Sequence, residues 1–248
     1  MNFTNKKILI TGGNSGIGEA LAEALQAKGN QLLITGRKPE SLKDTLDRNP
    51  EMHGYSLDVA DQTSLKAFIE RVLNDHPDLD AVILNAGIME DEDYTADPVS
   101  LDSAKRTIST NLSAVIDLAA AFIPQLRSRP EAALVTVSSG LAFVPKASNP
   151  VYSATKAAIH SLSQSWRYQL RNTHVRVHEL APPMVATELT PGQSEREMAM
   201  PLADFTEEVV EIMSAETVPD EILVKRVHFQ RFAEAEGRYA QTFDAVNS

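Results

Sequence analysis

Ser139, Tyr152 and Lys156 have the chemistry and the spacing of a proton-transfer site. Tyr152 and Lys156 are four residues apart, so within a helix they share one face. A phenol has a pKa of about 10, and a nearby ammonium lowers that value by favouring the phenolate. The pair is therefore predicted to act as a general acid and base, with Ser139 holding a carbonyl oxygen beside Tyr152. Spacing alone leaves open a second interpretation, in which an exposed tyrosine stacks over the stem of the lysine.

A glycine-rich segment, residues 11–18, lies far upstream between a predicted strand and a predicted helix. Gly12, Gly16 and Gly18 permit a sharp turn, and their missing side chains let a pyrophosphate approach the start of the helix. The spacing differs from G-x-G-x-x-G, so the generic dinucleotide motif is absent. The segment predicts a phosphate-binding turn, and a glycine-rich turn without a ligand is the alternative. Such a turn followed by an acid/base site predicts hydride and proton transfer between a nicotinamide cofactor and a small molecule.

The residues after the second predicted strand favour one nicotinamide cofactor over the other. An acidic side chain at this position binds the ribose 2′-hydroxyl of NAD, whereas an arginine accommodates the 2′-phosphate of NADP. Arg37 and Lys38 stand here, and no acidic residue lies between residues 34 and 38. Because the planar guanidinium matches a phosphate, we expect NADP(H) to be preferred over NAD(H). The alternative is that Arg37 is only a solvated loop charge.

Short apolar runs alternate with amphipathic helical stretches along the chain. Strands are predicted over residues 7–11, 31–35, 53–57, 81–84, 133–137, 175–180 and 221–224. Helices are predicted over 15–28, from a cap at Thr63, over 101–127 as two helices, and over 151–171. This order predicts an α/β fold in one domain, 1–248: a doubly wound parallel sheet (Rossmann fold) in three αβα layers. A substrate loop over about 184–216 and an added C-terminal helix over about 229–246 complete the predicted domain.

The composition restricts the class of protein. With 43% hydrophobic residues in 248, the chain can bury a sizeable core, so disorder is not expected. The net charge of -11 repels phosphate backbones, so nucleic acid is not an expected partner. The chain has no cysteine and no apolar run of membrane-spanning length. We therefore expect a cytoplasmic protein with no membrane partner and no metal site.

Taken together, these residues resemble the short type of the short-chain dehydrogenase/reductase family over nearly the whole chain. The family's T-G-x-x-x-G-x-G motif matches residues 11–18, and its aspartate for the adenine amine matches Asp58, followed by Val59. Its N-A-G element matches Asn85, Ala86 and Gly87, and its structural and catalytic asparagine matches Asn111. Its serine, tyrosine and lysine match the three residues of the proton-transfer site. Each match is weak alone, and the set is highly specific.

The resemblance implies a role for each residue. Tyr152 would donate the proton in reduction and accept it in oxidation, while Lys156 would lower the tyrosine pKa and bind the nicotinamide ribose. Ser139 would orient the substrate oxygen, and Asn111 would hold a water that links Lys156 to solvent. The residues expected to contact the cofactor are Gly12, Asn14, Ser15, Gly16, Ile17, Gly18, Arg37, Asp58, Val59, Asn85, Ala86, Gly87, Tyr152, Lys156, Pro182, Val185 and Thr187.

The chain departs from the family pattern at three places. Pro183 follows Pro182 where the family has glycine, which fixes φ and removes a backbone donor. Leu84 stands where an asparagine often precedes N-A-G, and the usual glycine-rich C-terminal ending is replaced. The Pro-Pro-Met-Val and C-terminal patterns are similar to the bacterial subgroup called DltE-like. In this family dimers or tetramers form through the helices at about 101–127 and 151–171, and the altered C-terminus favours a homodimer.

Two functions are consistent with these observations. The first is an oxidoreductase that transfers a hydride between NADP(H) and a small carbonyl or alcohol substrate, with Tyr152 as general acid and base. The alternative is a non-catalytic, cofactor-sensing or partner-binding protein on the same fold, because a fold does not fix a function. Loss of the tyrosine or the lysine would favour the alternative, and both residues are present.

Overall fold

Seven parallel strands form one sheet in the computed structural model, which describes residues 1–248. The strands are β1 (Lys7–Ile10), β2 (Gln31–Gly36), β3 (His53–Ser56), β4 (Ala81–Leu84), β5 (Ala132–Val137), β6 (Val175–Leu180) and β7 (Glu221–Ile222). Their order across the sheet is β3-β2-β1-β4-β5-β6-β7, and every neighbouring pair is parallel. The winding direction reverses between β1 and β4, so the predicted doubly wound sheet is confirmed.

Helices cover both faces of this sheet and complete the predicted three layers. They are α1 (Gly16–Gln26), α2 (Pro39–Arg48), α3 (Gln62–Asp75), α4 (Asp102–Ile108), α5 (Ala114–Leu126), α6 (Pro150–Leu170), α7 (Leu202–Met213), α8 (His228–Arg231) and α9 (Tyr239–Asn247). A π-helical turn at Ser109–Ser113 joins α4 to α5 without a break, so the two helices predicted over 101–127 form one rod.

Each face of the sheet has its own apolar core, because alternate residues of a strand point to opposite layers. On β1, Ile8 and Ile10 belong to a cluster that includes side chains of α1 and α7. Leu9, between them, belongs to a cluster with side chains of α3, α5 and α6. A strand that is buried on both faces needs a continuous apolar run, which explains why the strand segments were recognisable in the sequence.

The rod formed by α4 and α5 is long and apolar enough to cross a membrane, judged by length and composition only. In the fold it is a core helix. Leu118, Phe122 and Leu126 of α5 are almost completely buried in the cluster under the sheet. This packing accounts for the apolar composition of the rod.

Three predicted elements differ from the structure. Asp61 rather than Thr63 caps α3, because the Asp61 carboxylate accepts a hydrogen bond from the Thr63 N–H at 3.0 Å. The predicted substrate loop over 184–216 is irregular only up to residue 201, and its remainder is mostly α7, which packs on α1. The single C-terminal helix predicted over 229–246 is wrong, because a turn containing Gly237 at φ 69° separates α8 from α9.

The C-terminal segment packs against the loop that leads into α6. Asn247 accepts a hydrogen bond from the Ala147 N–H at 2.5 Å and donates one to the Pro145 carbonyl at 3.2 Å. Gln230 of α8 fits against Gly140, where a Cβ would lie 2.2 Å from the Gln230 Oε1 atom. The short helices at the C-terminus therefore support residues 140–149.

Replacement of Gly18 by alanine is expected to destabilise the protein. An added Cβ would lie 2.1 Å from the Gly12 carbonyl oxygen and 2.5 Å from the Asn85 Nδ2 atom, so α1 would have to move away from the glycine turn. Such overpacking costs about 1–3 kcal/mol, and each kcal/mol lowers Tm by about 2–4 °C in a protein of this size. Thermal unfolding followed by circular dichroism measures the change.

Gly54→Ala in β3 is the matched control, because the atoms nearest to its added Cβ are side-chain methyl groups of Leu46 and Leu42, which can move. We expect a smaller loss of Tm for Gly54→Ala than for Gly18→Ala. Equal Tm losses in the two variants would contradict the packing argument.

Candidate active site

A cleft of about 500 Å³ lies along the carboxyl ends of the strands, where β1 and β4 are neighbours. The glycine turn and Arg37 line it, together with Tyr152 and Lys156. The predicted site residues that line it are Gly12, Asn14, Ser15, Gly16, Ile17, Gly18, Arg37, Val59, Asn85, Ala86, Gly87, Ser139, Tyr152, Lys156, Pro182, Val185 and Thr187. The structure thus brings together residues that are up to 175 positions apart in the chain, from Gly12 to Thr187.

The glycine turn offers bare backbone to the cleft. Gly12 and Gly16 have φ values of 65° and 52°, in the left-handed region that favours glycine. Ser15 is the N-cap of α1, and its hydroxyl makes no capping hydrogen bond. The first N–H groups of a helix have no intrahelical partner, and the positive end of the helix dipole is at the same place. The turn therefore fits a bound pyrophosphate.

Thr11 and Asn85 join the glycine turn to the end of β4. The Thr11 hydroxyl accepts hydrogen bonds from the backbone N–H groups of Asn85 at 3.0 Å and Ala86 at 3.1 Å. The Asn85 side-chain amide donates in return to the carbonyls of Thr11 at 3.0 Å and Gly12 at 3.1 Å. Asn85 therefore fixes the backbone conformation of the glycine turn through its side-chain hydrogen bonds.

Arg37 is an exposed cation at the rim of the cleft, just after β2. It forms no ion pair or hydrogen bond with another side chain, so its guanidinium is free to bind an anion. Asn14 fills the adjacent space: its side chain packs on Gly36 and donates a hydrogen bond to the Ser41 hydroxyl at 3.0 Å. The turn therefore fits a pyrophosphate, and the exposed guanidinium is available to a further anion.

Tyr152 and Lys156 lie on one face of α6 and are almost completely buried, with 6% and 5% of their surfaces exposed. The Lys156 Nζ atom lies 5.6 Å from the centre of the Tyr152 ring and donates a hydrogen bond to the Val137 carbonyl at 2.8 Å. A Cβ on Gly87 would lie 3.7 Å from the same Nζ atom. The lysine is thus held between the end of β5 and the N-A-G element.

Burial shifts the pKa values of both residues toward their neutral forms. Desolvation raises the pKa of Tyr152 to about 12, and a hydrogen bond with the Ser139 side chain opposes this increase. Desolvation lowers the pKa of Lys156 to about 8. The expectation that Lys156 brings the Tyr152 pKa below its ordinary value is therefore wrong for this structure, because burial raises that pKa and only the Ser139 hydrogen bond opposes the increase. The phenol stays protonated at neutral pH, which is the form that can donate a proton to a carbonyl oxygen.

Ser139 and Asn111 are both held by backbone groups. Ser139 is buried at the end of β5, and its Oγ atom accepts a hydrogen bond from the Leu141 N–H at 3.1 Å. Asn111 lies in the π-helical turn, where its side chain donates to the Ile88 carbonyl at 2.8 Å and accepts from the Ile88 N–H at 2.9 Å. Ser139 can still donate its own proton, whereas the Asn111 side chain is committed to fixing the chain after the N-A-G element.

Asp58 and Asn111 are the two predicted site residues that do not line the cleft. Asp58 is exposed, and its carboxylate accepts a hydrogen bond from the Ala60 N–H at 3.0 Å. Its neighbours Leu57 and Val59 line the cleft instead. The aspartate therefore shapes the loop after β3, and its contact with an adenine amine remains a prediction.

The chain after Pro182 forms one wall of the cleft. Val185 is buried, and its carbonyl accepts hydrogen bonds from the Thr187 N–H and from the Gln193 side chain, both at 2.8 Å. Met200 donates to the Met184 carbonyl at 2.8 Å, which closes residues 184–200 into a loop. A Cβ on Gly16 would lie 3.4 Å from Thr187, so this loop reaches across to the glycine turn.

Several cleft residues were not recognised in the sequence. They are Thr35, Gly36, Leu57, Ile88, Met89, Glu90, Thr110, Val137, Ser138, Glu188 and Gln193. Most of them directly follow or precede a recognised motif, so extending each motif by two or three residues past the strand end would have found them. Gln193 had no such signal, because its place in the cleft depends on how the loop closes.

Comparison with known proteins agrees with this architecture. A family model described as short chain dehydrogenase matches residues 6–198. An uncharacterized oxidoreductase of Bacillus subtilis (strain 168), DltE, is 44% identical over 189 residues, which cover 76% of this chain and 75% of the relative.

Solved structures share the fold at lower sequence identity. A short chain dehydrogenase from Burkholderia cenocepacia J2315 in complex with NADP superposes with a TM-score of 0.81 at 22% identity, covering 98% of this chain and 99% of that chain. A 3-ketoacyl-(acyl-carrier-protein) reductase from Brucella melitensis, complexed with NADH, gives a TM-score of 0.77 at 22% identity, covering 86% and 92%. The fold alone therefore does not determine which nicotinamide cofactor is bound.

The family match spans most of the chain, and the Bacillus subtilis relative is well above the identity at which only the fold is shared. The predicted family is confirmed: this chain belongs to the short-chain dehydrogenase family of oxidoreductases.

Proposed function

We propose that this protein is an oxidoreductase that transfers a hydride between NADP(H) and a small carbonyl or alcohol substrate, with Tyr152 as its general acid and base. The observation that carries the proposal is that Ser139, Tyr152 and Lys156 meet in the same cleft as the glycine turn. Membership of a family of oxidoreductases supports the same conclusion. The cofactor would supply the hydride, which no side chain of the chain can provide.

In the proposed reduction, Tyr152 donates its phenolic proton to the substrate oxygen. Ser139 holds that oxygen with a hydrogen bond, which its position close to the phenol supports. The Lys156 ammonium stabilises the phenolate left behind and would bind the nicotinamide ribose. In oxidation the same groups act in reverse, and Tyr152 accepts the proton. The Asn111 side-chain amide is already hydrogen-bonded to the backbone of Ile88. We therefore propose that the backbone of Asn111, rather than its side chain, holds the water that links Lys156 to solvent.

The proposed cofactor contacts divide between two parts of the cleft. The residues that would hold the phosphates and the adenosine are Gly12, Asn14, Ser15, Gly16, Ile17, Gly18, Arg37, Asp58 and Val59. The residues that would hold the nicotinamide half are Asn85, Ala86, Gly87, Tyr152, Lys156, Pro182, Val185 and Thr187. The Thr187 N–H already donates to the Val185 carbonyl, so its hydroxyl is the group that we propose for the carboxamide.

We propose an uncharged and mainly apolar carbonyl compound as the substrate. Ile88, Met89 and Leu189 supply apolar walls to the cleft. Glu188 also lines it and has no cationic partner, whereas the Glu90 carboxylate is paired with Arg106. The unpaired carboxylate of Glu188 disfavours an anionic substrate.

We also propose a soluble, cytoplasmic homodimer formed through α5 and α6. Both helices carry large apolar side chains on the surface, with Ile116 and Tyr168 40% and 67% exposed. A solution mass of a single 27.1 kDa chain would rule out the dimer.

Replacing Arg37 with alanine should remove the preference for the phosphorylated cofactor. Wild-type protein is expected to bind NADPH more tightly than NADH, because only NADPH has a 2′-phosphate for the guanidinium. Arg37→Ala should weaken NADPH binding by about 10- to 100-fold, the value of one charge-assisted hydrogen bond, and leave NADH binding unchanged. Titration by nicotinamide fluorescence measures both affinities.

Arg127→Ala is the matched control, because Arg127 is an exposed, unpaired arginine at the C-terminal end of α5, outside the cleft. It removes the same charge without touching the cleft. Equal affinity of the wild-type protein for NADH and NADPH would contradict the NADP(H) assignment.

Replacing Tyr152 with phenylalanine should abolish carbonyl reduction and spare cofactor binding. The ring is kept and only the hydroxyl is lost, so kcat should fall by about 100- to 10,000-fold, the contribution of a positioned general acid. Tyr239→Phe is the control, because Tyr239 is an exposed tyrosine at the start of α9, outside the cleft and outside the proposed dimer helices. Retained turnover in Tyr152→Phe would refute its role. Cofactor binding by a wild-type protein that reduces no carbonyl compound would favour the cofactor-sensing alternative.

The reduction rate is expected to fall as the pH rises through about 8, the value to which burial lowers the Lys156 pKa. Below this pH the lysine is an ammonium that stabilises the phenolate formed when Tyr152 gives up its proton. Above it the lysine is neutral and that stabilisation is lost, while Tyr152, with a pKa of about 12, is still protonated. The pH dependence of kcat/KM for the carbonyl substrate measures the effect.

Lys156→Arg keeps a positive charge over the whole alkaline range, because an arginine does not lose its proton there. This variant should be slower overall, but without the decrease near pH 8. A wild-type profile that stays flat up to about pH 10 would contradict the assignment of the decrease to Lys156.

A further inference from the structure

A buried carboxylate lies directly behind the catalytic end of β5. Glu179 is on β6 and is 0% exposed. Its Oε1 atom accepts a hydrogen bond from the Ser138 hydroxyl at 2.5 Å, and its Oε2 atom lies 2.7 Å from the Nδ1 atom of His160. Burying a carboxylate is energetically costly unless its hydrogen bonds are satisfied. Glu179 does not line the cleft, so the proposed cofactor contacts do not account for it.

His160 joins this carboxylate to the helix that carries the acid/base pair. It follows Lys156 by one turn and Tyr152 by two turns, so the three side chains share a face of α6. Its Nδ1 atom donates to Glu179, and its Nε2 atom lies 3.1 Å from the side-chain amide of Gln164, which satisfies both ring nitrogens. The Phe143 ring packs edge-on against the imidazole, with 4.9 Å between ring centres.

Ser138 joins the carboxylate to the strand end that carries Ser139. The backbone there is fixed from two sides: Lys156 binds the Val137 carbonyl at 2.8 Å, and Ser138 is tied to Glu179. The next residue is Ser139 itself. The hydrogen bonds Ser138–Glu179 and Glu179–His160 therefore connect the residue next to Ser139 to the helix that bears Tyr152.

Two other interpretations of this cluster fail. Ligand atoms of His160, Glu179 and Glu221 lie within 4.8 Å of one another, a spacing that suits a metal ion. However, Arg231 binds both oxygens of Glu221 at 2.6 and 2.9 Å and places a cation at that position. Both oxygens of Glu179 are already hydrogen-bonded as well. The cluster is therefore complete without an ion.

The cluster is also not a hydrolytic triad. In such a triad the imidazole lies between the serine and the carboxylate, where it can take the serine proton. Here the carboxylate lies between Ser138 and His160, and Ser138 is 2% exposed. No group is placed to activate Ser138 as a nucleophile.

We propose that Glu179 is a positioning residue that, through Ser138 and His160, sets the distance between the hydroxyl groups of Ser139 and Tyr152. This inference rests on the proposed function, because the distance matters only if both hydroxyl groups act on one substrate oxygen. A displacement of the order of 1 Å at a reacting centre lowers a rate by about 100-fold, so a residue with no substrate contact can control the rate.

The test compares three variants of the full chain. Glu179→Leu keeps the approximate size of the side chain and removes both hydrogen bonds. Glu179→Gln keeps a partner for each neighbour, because the amide can accept from Ser138 and donate to the other tautomer of His160. Ser163→Ala is the control, because it removes a buried hydrogen bond of 2.6 Å between α6 and Thr136 of β5, two residues before Ser138.

Steady-state kinetics and cofactor titration are measured for each variant. Glu179→Leu should lower kcat by about 10- to 100-fold while its Kd for NADPH stays within about threefold of wild type. Glu179→Gln should restore kcat to within about threefold, and Ser163→Ala should lower Tm without lowering kcat. A kcat of Glu179→Leu equal to that of wild type would overturn the inference, and so would a Glu179→Gln variant as slow as Glu179→Leu.

Crystal structures of the wild type and of Glu179→Leu test the same inference without turnover. The separation between the Ser139 and Tyr152 hydroxyl oxygens should change by about 0.5 Å or more in the variant. An unchanged separation would overturn the positioning role even if the wild type reduced no carbonyl compound. Absence of wild-type turnover combined with a changed separation would instead contradict the proposed function and leave the positioning role supported. If Glu179→Leu does not fold, Glu179→Gln is compared with the wild type alone. The inference then requires the same separation of the Ser139 and Tyr152 hydroxyl oxygens and a similar rate in both proteins, and a difference in either would overturn it.

Discussion

The hydrogen bonds that join Thr11 and Gly12 to Asn85 and Ala86 are the constraint on which the rest of the site depends. Four bonds of 3.0–3.1 Å join the ends of β1 and β4, the two strands between which the winding of the sheet reverses. Helices on both sides of this junction leave the sheet in opposite directions, so a cleft must open above it. One wall of the cleft begins with the glycine turn and the other with the N-A-G element, against which Lys156 is packed.

Burial gives this cleft its electrostatic character. The same desolvation that raises the pKa of Tyr152 lowers the pKa of Lys156, so at pH 7 the phenol is neutral while the lysine is still mainly an ammonium. A phenolate formed beside that buried ammonium interacts with it more strongly than it would in bulk water. The polar groups that remain are therefore held by many partners, such as Asn111 by Ile88 and Ser138 by Glu179. Burial therefore accounts both for the fixed positions of these polar groups and for the shifted pKa values of Tyr152 and Lys156.

Local patterns in the sequence predicted the fold and most of the cleft, because strands buried on both faces and glycine turns leave strong local signals. The doubly wound parallel sheet, the three layers and the family were predicted correctly, whereas the order of the strands across the sheet came from the structure. The cap of α3 was assigned two residues late, because both Asp61 and Thr63 can cap a helix, and only the backbone bond distinguishes them. The direction of the Tyr152 pKa shift was wrong because it depends on burial, which spacing does not reveal. Glu179 was missed because its partners are 19 and 41 residues away, in a segment that otherwise has the pattern of an ordinary strand.

The fit of Gln230 against Gly140 has a consequence for how such a protein diverges. The family model ends at residue 198, so α8 and the chain around it belong to the part that is not matched. Nevertheless α8 touches the residue after Ser139, and its Arg231 lies 4.9 Å from the ring of Phe143. Mutations that accumulate in this segment, beyond the end of the family model, can therefore alter the position of the serine while every family motif stays intact. Paralogues with identical motifs can in this way acquire different substrate selectivities, and the change would be invisible to motif comparison.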